Sequence, residues 1–326
     1  QGVRLIKHYR EMDFMGFVEV IRNLSSILQN IKNTKNAIAS ERPDVLVLVD
    51  YPGFNLRIAP YAKKLGIKVV YYISPQIWAW KENRVHLIKK VVDKMLVILP
   101  FEAAFYQKHH FEVNFVGHPL LDAIAQYELA NPSDWRTGNG LDDRPIVALL
   151  PGSRAQEIAV KLPIMLEVSK HFPQYQFVVA KAPSQPVSFY QQWLNGSGVR
   201  WVENQTYALL KNSVAACVTS GTATLETALF EVPQVVCYKG SAISYQIAKR
   251  LIKVKYISLV NLIMDAPVVT ELIQSELNAP NLKRALNGIL DEKGAQQMKS
   301  NYRELALRLG GVGASERASK IIVNDL

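Results

Sequence analysis

Apolar and polar positions along this chain group into short β-branched runs, each followed by a stretch with helical spacing. In the first part, Asp44–Asp50, Ile67–Ile73, Lys94–Leu99 and Glu112–Val116 read as strands. A second series comprises Ile146–Leu150, Gln176–Ala180, Arg200–Val202, Ala215–Thr219 and Gln234–Tyr238. Helical patterns such as Glu157–Lys170 and Thr222–Phe230 separate them, and the tail from Leu282 to Leu326 is helical. Alternation of this kind predicts parallel sheets, because parallel neighbours need a crossover between them. The expected fold class is α/β, with two Rossmann-like, doubly wound domains facing one cleft.

The segment 131–144 (NPSDWRTGNGLDDR) is polar and rich in turn formers, which predicts a linker. The expected domains are 1–130, this linker, 145–300, and a carboxyl-terminal helical segment 301–326 packing back on the first domain.

Two stretches end an apolar strand with a small-residue turn and then start a helix. They are Ile146-Val-Ala-Leu-Leu-Pro-Gly-Ser-Arg154 and Ala215-Ala-Cys-Val-Thr-Ser-Gly-Thr-Ala-Thr-Leu-Glu226. Each places free backbone N–H groups and a helix dipole at the carboxyl edge of a parallel strand, where phosphate binds without a metal. Two such turns (Gly152-Ser153 and Ser220-Gly221-Thr222) suggest a diphosphate. Arg154 can meet it with a bidentate fork, and Glu226, one turn into its helix, can take ribose hydroxyls. Ser153 with Gln156 three residues on predicts a capping box at one helix start. The pattern is that of a sugar-nucleotide enzyme.

Composition narrows the partners. The 326 residues are 49% hydrophobic and 20% charged, a well-packed globular composition long enough for two domains. Lys and Arg number 38 against 28 Asp and Glu, a net charge of +10. An anionic substrate or an anionic membrane surface accounts for that balance. Nucleic acid is not expected, since no zinc-finger spacing or RNP-like aromatic motif is present. Cys217 and Cys237 sit in apolar strand-like runs without metal-ligand spacing, as buried thiols of a reducing cytosol do. No cofactor or metal is expected, because Asp142-Asp143 falls in the polar segment and not at a strand end. The chain opens on Gln1 with no signal-peptide pattern, which predicts a fragment or a processed chain.

Asp50 ends the apolar run Val45-Leu-Val-Leu-Val, so its carboxylate is expected at a ligand crevice; the other reading is an Asp capping the next turn. Upstream, the stretch Phe14–Ile31 is unusually apolar for a surface helix. Phe17, Val18, Val20, Ile21, Leu24, Ile27 and Leu28 exceed one narrow core stripe. With Lys249, Arg250, Lys253 and Lys255 nearby in composition, they predict contact with an anionic membrane surface.

The motif Ser74-Pro-Gln-Ile-Trp-Ala-Trp80 with Arg84 resembles a signature of the lipid-A-disaccharide synthases. So do Phe115-Val-Gly-His-Pro119, Leu150-Pro-Gly-Ser-Arg154, Ser220-Gly-Thr-Ala with Leu225-Glu226, and Ser258-Leu-Val-Asn-Leu262. The matches keep order and spacing from near Asp13 to near Asn261, and the Trp-Ala-Trp segment is the most specific. The resemblance implies a GT-B fold and an inverting transfer of 2,3-diacylglucosamine from UDP to 2,3-diacylglucosamine 1-phosphate. It assigns a catalytic role to Asp50, a nucleotide-sugar role to Asn261, and acceptor contacts to Ser74, Trp78, Trp80 and Arg84. It further implies a cytoplasmic protein peripheral to the inner membrane of a Gram-negative bacterium, often an intertwined homodimer. His118 is expected to shape a turn.

Two departures stand out. The family usually opens with a strand and a Gly-Glu-Ala-Ser-Gly-Asp turn that this sequence lacks. Many relatives also carry a second aspartate where Gly53 stands here, which leaves Asp50 the only acid in its turn. Alternatives are another GT-B enzyme, such as a lipid-II-type GlcNAc transferase or a UDP-GlcNAc 2-epimerase, or a non-catalytic UDP-sugar-binding protein.

Overall fold

The structure is a computed structural model that describes residues 4–6, 24–129, 135–241, 245 and 254–324. The chain divides into two compact units: Gln1–Val97 with Glu102–Phe115 and Ala318–Leu326, and Ile98–Phe101 with Val116–Arg317.

The first unit holds a four-stranded parallel sheet in sequence order: β1 (Val45–Val49), β2 (Lys68–Tyr72), β3 (Lys94–Val97) and β4 (Asn114–Phe115). Crossover helices Pro52–Lys64 and Val85–Val91 pack their apolar faces on it. Its core is built from Leu48, Ile58, Val69, Tyr71, Ile88 and Met95, all buried. The fourth strand is shorter than the expected Glu112–Val116 and keeps only two paired residues.

The second unit holds a six-stranded parallel sheet of order β10-β9-β8-β5-β6-β7. Its strands are β5 (Ile146–Leu150), β6 (Gln176–Lys181), β7 (Arg200–Glu203), β8 (Ser213–Thr219), β9 (Gln234–Tyr238) and β10 (Thr270–Ile273). The chain starts at the centre with β5, winds outward to β7, returns beside β5 with β8, and winds the other way. This is the doubly wound order, with its reversal between β5 and β8. Ligands of such sheets bind outside the carboxyl ends of the strands at that reversal. β10 has no counterpart among the expected strands.

The polar segment around 135–144 is knitted into this second unit. Trp135 is buried and its indole N–H donates to Gln205 Oε1 at 2.5 Å. Gln176 Nε2 donates to the Asp142 carbonyl at 2.7 Å, and the Arg144 guanidinium donates to the Pro173 carbonyl at 3.0 Å. The tail forms helices Ala279–Leu290, Glu292–Arg308 and Ala314–Asn324.

Candidate functional site

In the second unit both small-residue turns emerge at the reversal. Leu150 pairs with Val218, so the Gly152-Ser153 turn after β5 and the Ser220-Gly221-Thr222 turn after β8 lie side by side. Gly152 is required at its position. Its φ is 121°, and a Cβ there would stand 2.6 Å from Glu157 Oε2 and 3.4 Å from Thr219 Oγ1.

The helix after the first turn spans Ala155–Ser169, and Arg154, not Ser153, is its N-cap. The expected capping box does not form. Arg154 remains extended (φ −97°, ψ 140°), which carries Ser153 out of reach of the first helical N–H groups. Ser153 is held instead through its carbonyl, which accepts from Ser184 Oγ at 2.8 Å. No side chain caps this helix, and none caps the helix Thr222–Leu229, which begins after Gly221 (φ 149°). Their first N–H groups are oriented for an external anion.

Arg154 is well exposed, and its Nη1 lies 3.6 Å from Glu157 Oε1. On the other side of that carboxylate, Lys161 Nζ lies 3.7 Å from Glu157 Oε2. Lys161 is only 2% exposed. Burial pushes its pKa down, and the Glu157 charge pushes it back up. Thr219 Oγ1 is buried beside this cluster with no hydrogen-bond partner among the described residues.

Glu226 is half-buried on the helix Thr222–Leu229 and accepts from Tyr207 Oη at 3.1 Å. Burial raises its pKa, and the Tyr207 hydrogen bond opposes that rise. Tyr207 stacks edge-on with Tyr127 (5.4 Å between centroids) and packs on Phe230 at 5.1 Å. An aromatic wall therefore flanks the expected ribose carboxylate.

Asn261 is buried and engaged on every side. Its Nδ2 donates to the Val269 carbonyl (2.9 Å) and Glu271 Oε1 (3.0 Å), while its Oδ1 accepts from Val269 N–H (2.9 Å). Glu271 in turn accepts from Ser258 N–H and Ile257 N–H, and the Ile257 carbonyl accepts from Ser220 Oγ at 2.9 Å. Asn261 thus supports the Ser220 turn from behind and presents no spare amide.

The remaining candidates, His118 apart, belong to the first unit. Asp50 follows β1 with left-handed φ values at itself (42°) and at Tyr51 (41°), a conformation that costs a non-glycine residue energy. Its carbonyl is gripped by Asn55 Nδ2 (2.7 Å) and Tyr71 Oη (2.5 Å), and its N–H donates to the Tyr72 carbonyl. These bonds leave the side chain outside the ladder, in an exposed residue. Partial desolvation raises the carboxyl pKa, and the Tyr51 N–H lowers it. The Tyr71 hydroxyl feels both the Asp50 and the Arg84 charges, which places Arg84 in the same neighbourhood.

Ser74 is buried and hydrogen-bonded to Tyr106 Oη at 2.8 Å. Trp78 donates to the buried Glu102 at 3.3 Å. Trp80 is half-exposed, with Lys81 Nζ 4.2 Å and the Arg84 guanidinium 5.8 Å from its ring centre. His118 is buried, accepts from Leu120 N–H, and has its pKa pushed down to about 4 by desolvation.

Of the apolar stretch near the amino terminus, Phe17, Val18, Val20 and Ile21 lie outside the described residues. A helix runs Leu24–Glu41, with Ile27 packed on the core and Leu28 54% exposed. No described helix is long and apolar enough to cross a membrane. Lys249, Arg250 and Lys253 are likewise outside the described residues, whereas Lys255 is exposed opposite Asp265.

Residues 1–323 match the lipid-A-disaccharide synthetase family along their whole length. The chain belongs to that family. A lipid-A-disaccharide synthase of Myxococcus xanthus is 39% identical over 333 residues, covering 100% of this chain and 87% of the relative. Among solved structures, the UDP-GlcNAc 2-epimerase of Neisseria meningitidis bound to UDP-GlcNAc aligns with a TM-score of 0.66 at 14% identity. That alignment covers 96% of this chain and 83% of the epimerase. The calicheamicin glycosyltransferase CalG4 aligns with a TM-score of 0.55 at 13% identity, covering 99% and 82%. At such identities the likeness is one of fold: two Rossmann-like domains of GT-B type. Membership of the family makes this chain a hexosyltransferase of lipid A biosynthesis.

The sequence pattern missed Glu157, Lys161, Tyr207, Glu271, Asn55 and Tyr71. Each acts by holding another site residue, through a contact that the pattern of apolar and polar positions does not mark.

Proposed function

We propose that the chain transfers 2,3-diacylglucosamine from UDP to the 6-hydroxyl of 2,3-diacylglucosamine 1-phosphate, with inversion. The observation that carries this reading is the pair of uncapped helix starts, with Arg154 at the first of them, at the sheet reversal of a chain in this family. The diphosphate sits on the two turns formed by Gly152-Ser153 and Ser220-Gly221-Thr222. Glu226 takes the ribose hydroxyls, with the Tyr207 hydroxyl fixing its carboxylate.

The acceptor oxygen attacks the anomeric carbon as the bond from that carbon to the diphosphate breaks. UDP departs with the bonding electron pair. Asp50 takes the proton from the attacking hydroxyl, a role suited to a carboxylate whose surroundings raise its pKa. Negative charge growing on the departing diphosphate is met by Arg154 and by the helix N–H groups, which are fixed before the reaction begins. Trp78, Trp80 and Arg84 serve the anionic acylated acceptor. Asn261 serves the donor side indirectly, through Glu271 and the Ser220 turn.

The acylated substrates place the protein at the inner-membrane surface, peripherally and from the cytoplasm. Ile27, expected in this set, packs on the core instead; Phe17, Val18, Val20, Ile21, Leu24 and Leu28 provide the contact. Serine at these positions then reduces co-sedimentation with anionic vesicles; unchanged sedimentation contradicts the membrane reading.

UDP release from UDP-diacylglucosamine tests the transfer reading. Release that requires diacylglucosamine 1-phosphate supports it, whereas release independent of the acceptor marks a hydrolase or an epimerase-like enzyme.

A further inference from the structure

A carboxylate directly beneath a phosphate-binding turn is electrostatically misplaced unless something cancels it. Glu157 is such a carboxylate, so close under Gly152 that a Cβ on the glycine would meet its Oε2 at 2.6 Å. It is bracketed by two cations, Arg154 at 3.6 Å on the solvent side and Lys161 at 3.7 Å on the inner side. Arg154 is 62% exposed and Lys161 2%, so the two differ in what they can do. The exposed guanidinium can leave Glu157 for a ligand. The buried ammonium cannot.

We infer that Lys161 is a positioning residue for the diphosphate of the donor, acting through Glu157. Its ammonium neutralises and holds the carboxylate beneath the turn, so that Arg154 can turn from Glu157 to the ligand. The inference rests on the donor reading given above. Arginine, glutamate and lysine together carry one net positive charge, so the turn attracts an anion despite the acid inside it. Two independent features mark the place as built for a ligand. One is a lysine kept almost wholly out of water, a costly placement in a helix that is otherwise apolar at that face. The other is the buried Thr219 hydroxyl without a partner among the described residues, 3.4 Å from the same Gly152 Cβ position.

Charge arithmetic separates this role from simple packing. Lys161→Met keeps the length of the buried stem and lowers the net charge of the trio from one to zero. Glu157→Gln raises it to two, and the double variant returns it to one. UDP affinity therefore follows the order Glu157→Gln at or above wild type, wild type close to the double variant, and Lys161→Met weakest. Lys161→Met alone loses at least about tenfold, because one acid is left uncompensated beside the diphosphate. Adding Glu157→Gln recovers affinity to within about threefold of wild type.

Isothermal titration of UDP into the four proteins, with thermal melting of each, tests the inference. Recovery in the double variant supports it, whatever its melting temperature. A double variant that binds UDP no better than Lys161→Met overturns it and leaves Lys161 a packing residue. The same holds if Lys161→Met lowers the melting temperature yet binds UDP as wild type does. Wild-type protein that binds no UDP overturns the donor reading itself, and the inference with it.

Discussion

The side-chain amide of Asn55 donates to the carbonyl of Asp50 at 2.7 Å and to the carbonyl of Val49 at 3.0 Å. A buried amide thus pins the last carbonyl of β1 and the one after it while the chain turns through two successive left-handed residues, Asp50 and Tyr51. The strained backbone at Asp50 is held by Asn55 and Tyr71 together. Asn55→Ala removes one grip and leaves two part-buried carbonyls each short of a donor, costing about 1 kcal/mol of stability. We expect kcat to fall with the UDP dissociation constant unchanged, since Asn55 and the nucleotide turns belong to different units. Calorimetric UDP binding beside steady-state rates checks the split.

Arg154 contributes little to folding, because its side chain is 62% exposed and its ion pair is with a residue one turn away. Arg154→Ala is expected to leave the melting temperature nearly unchanged while lowering kcat/KM by about 10²–10³, the loss typical of one preorganised group facing developing charge. Equal losses of stability and rate would make it a structural arginine.

Glu226 and Tyr207 make a prediction about sugar discrimination. With the carboxylate fixed by the tyrosine hydroxyl at 3.1 Å, wild-type protein binds UDP more tightly than 2′-deoxy-UDP. Glu226→Gln reduces that preference, and Tyr207→Phe reduces it partly by freeing the carboxylate. Competition titrations with the two nucleotides read this directly.

His118 gives the fold a pH dependence of known sign. The imidazole takes up a proton near 6.5 when unfolded but only near about 4 in the fold, because burial disfavours its cation. Between those values the unfolded chain binds more protons, so stability falls as pH drops through that window and is retained above it. His118→Asn, which keeps an acceptor for the Leu120 N–H, flattens the melting temperature between pH 6.5 and about 4 relative to wild type.

Much of the second unit was legible in the sequence because phosphate turns are local. Gly152, Ser153, Gly221 and Thr222 are contiguous with the strands that end just before them, and a strand followed by a small-residue turn is a short-range pattern. The sheet order was not legible. It depends on β8 returning beside β5, a pairing between segments more than 60 residues apart. β10 escaped because it is four residues long and carries Glu271, whose carboxylate serves the loop at 257–258 instead of an apolar face.

Nothing in the helical pattern of Glu157–Lys170 singles out Lys161, whose burial beside Glu157 depends on the tertiary fold. The resemblance implies a nucleotide-sugar role for Asn261, and nothing local in the sequence reveals that Val269 and Glu271 occupy its amide. The capping box does not form because the helix starts one residue later than the Ser153–Gln156 spacing predicts, with Arg154 as its N-cap.

The central claim is transfer with Asp50 as the base. Protein incubated with UDP-diacylglucosamine and diacylglucosamine 1-phosphate in detergent micelles is followed by mass spectrometry for the tetraacyl disaccharide 1-phosphate. The account predicts its formation by wild type, with the rate rising with pH through a carboxyl pKa above the ordinary 3.8. In Asp50→Asn the rate falls by about 10²–10⁴ while UDP binding persists. Product formed at comparable rates by the Asn variant would contradict the assignment of the base, and absence of product from folded, UDP-binding wild type would contradict the transfer itself.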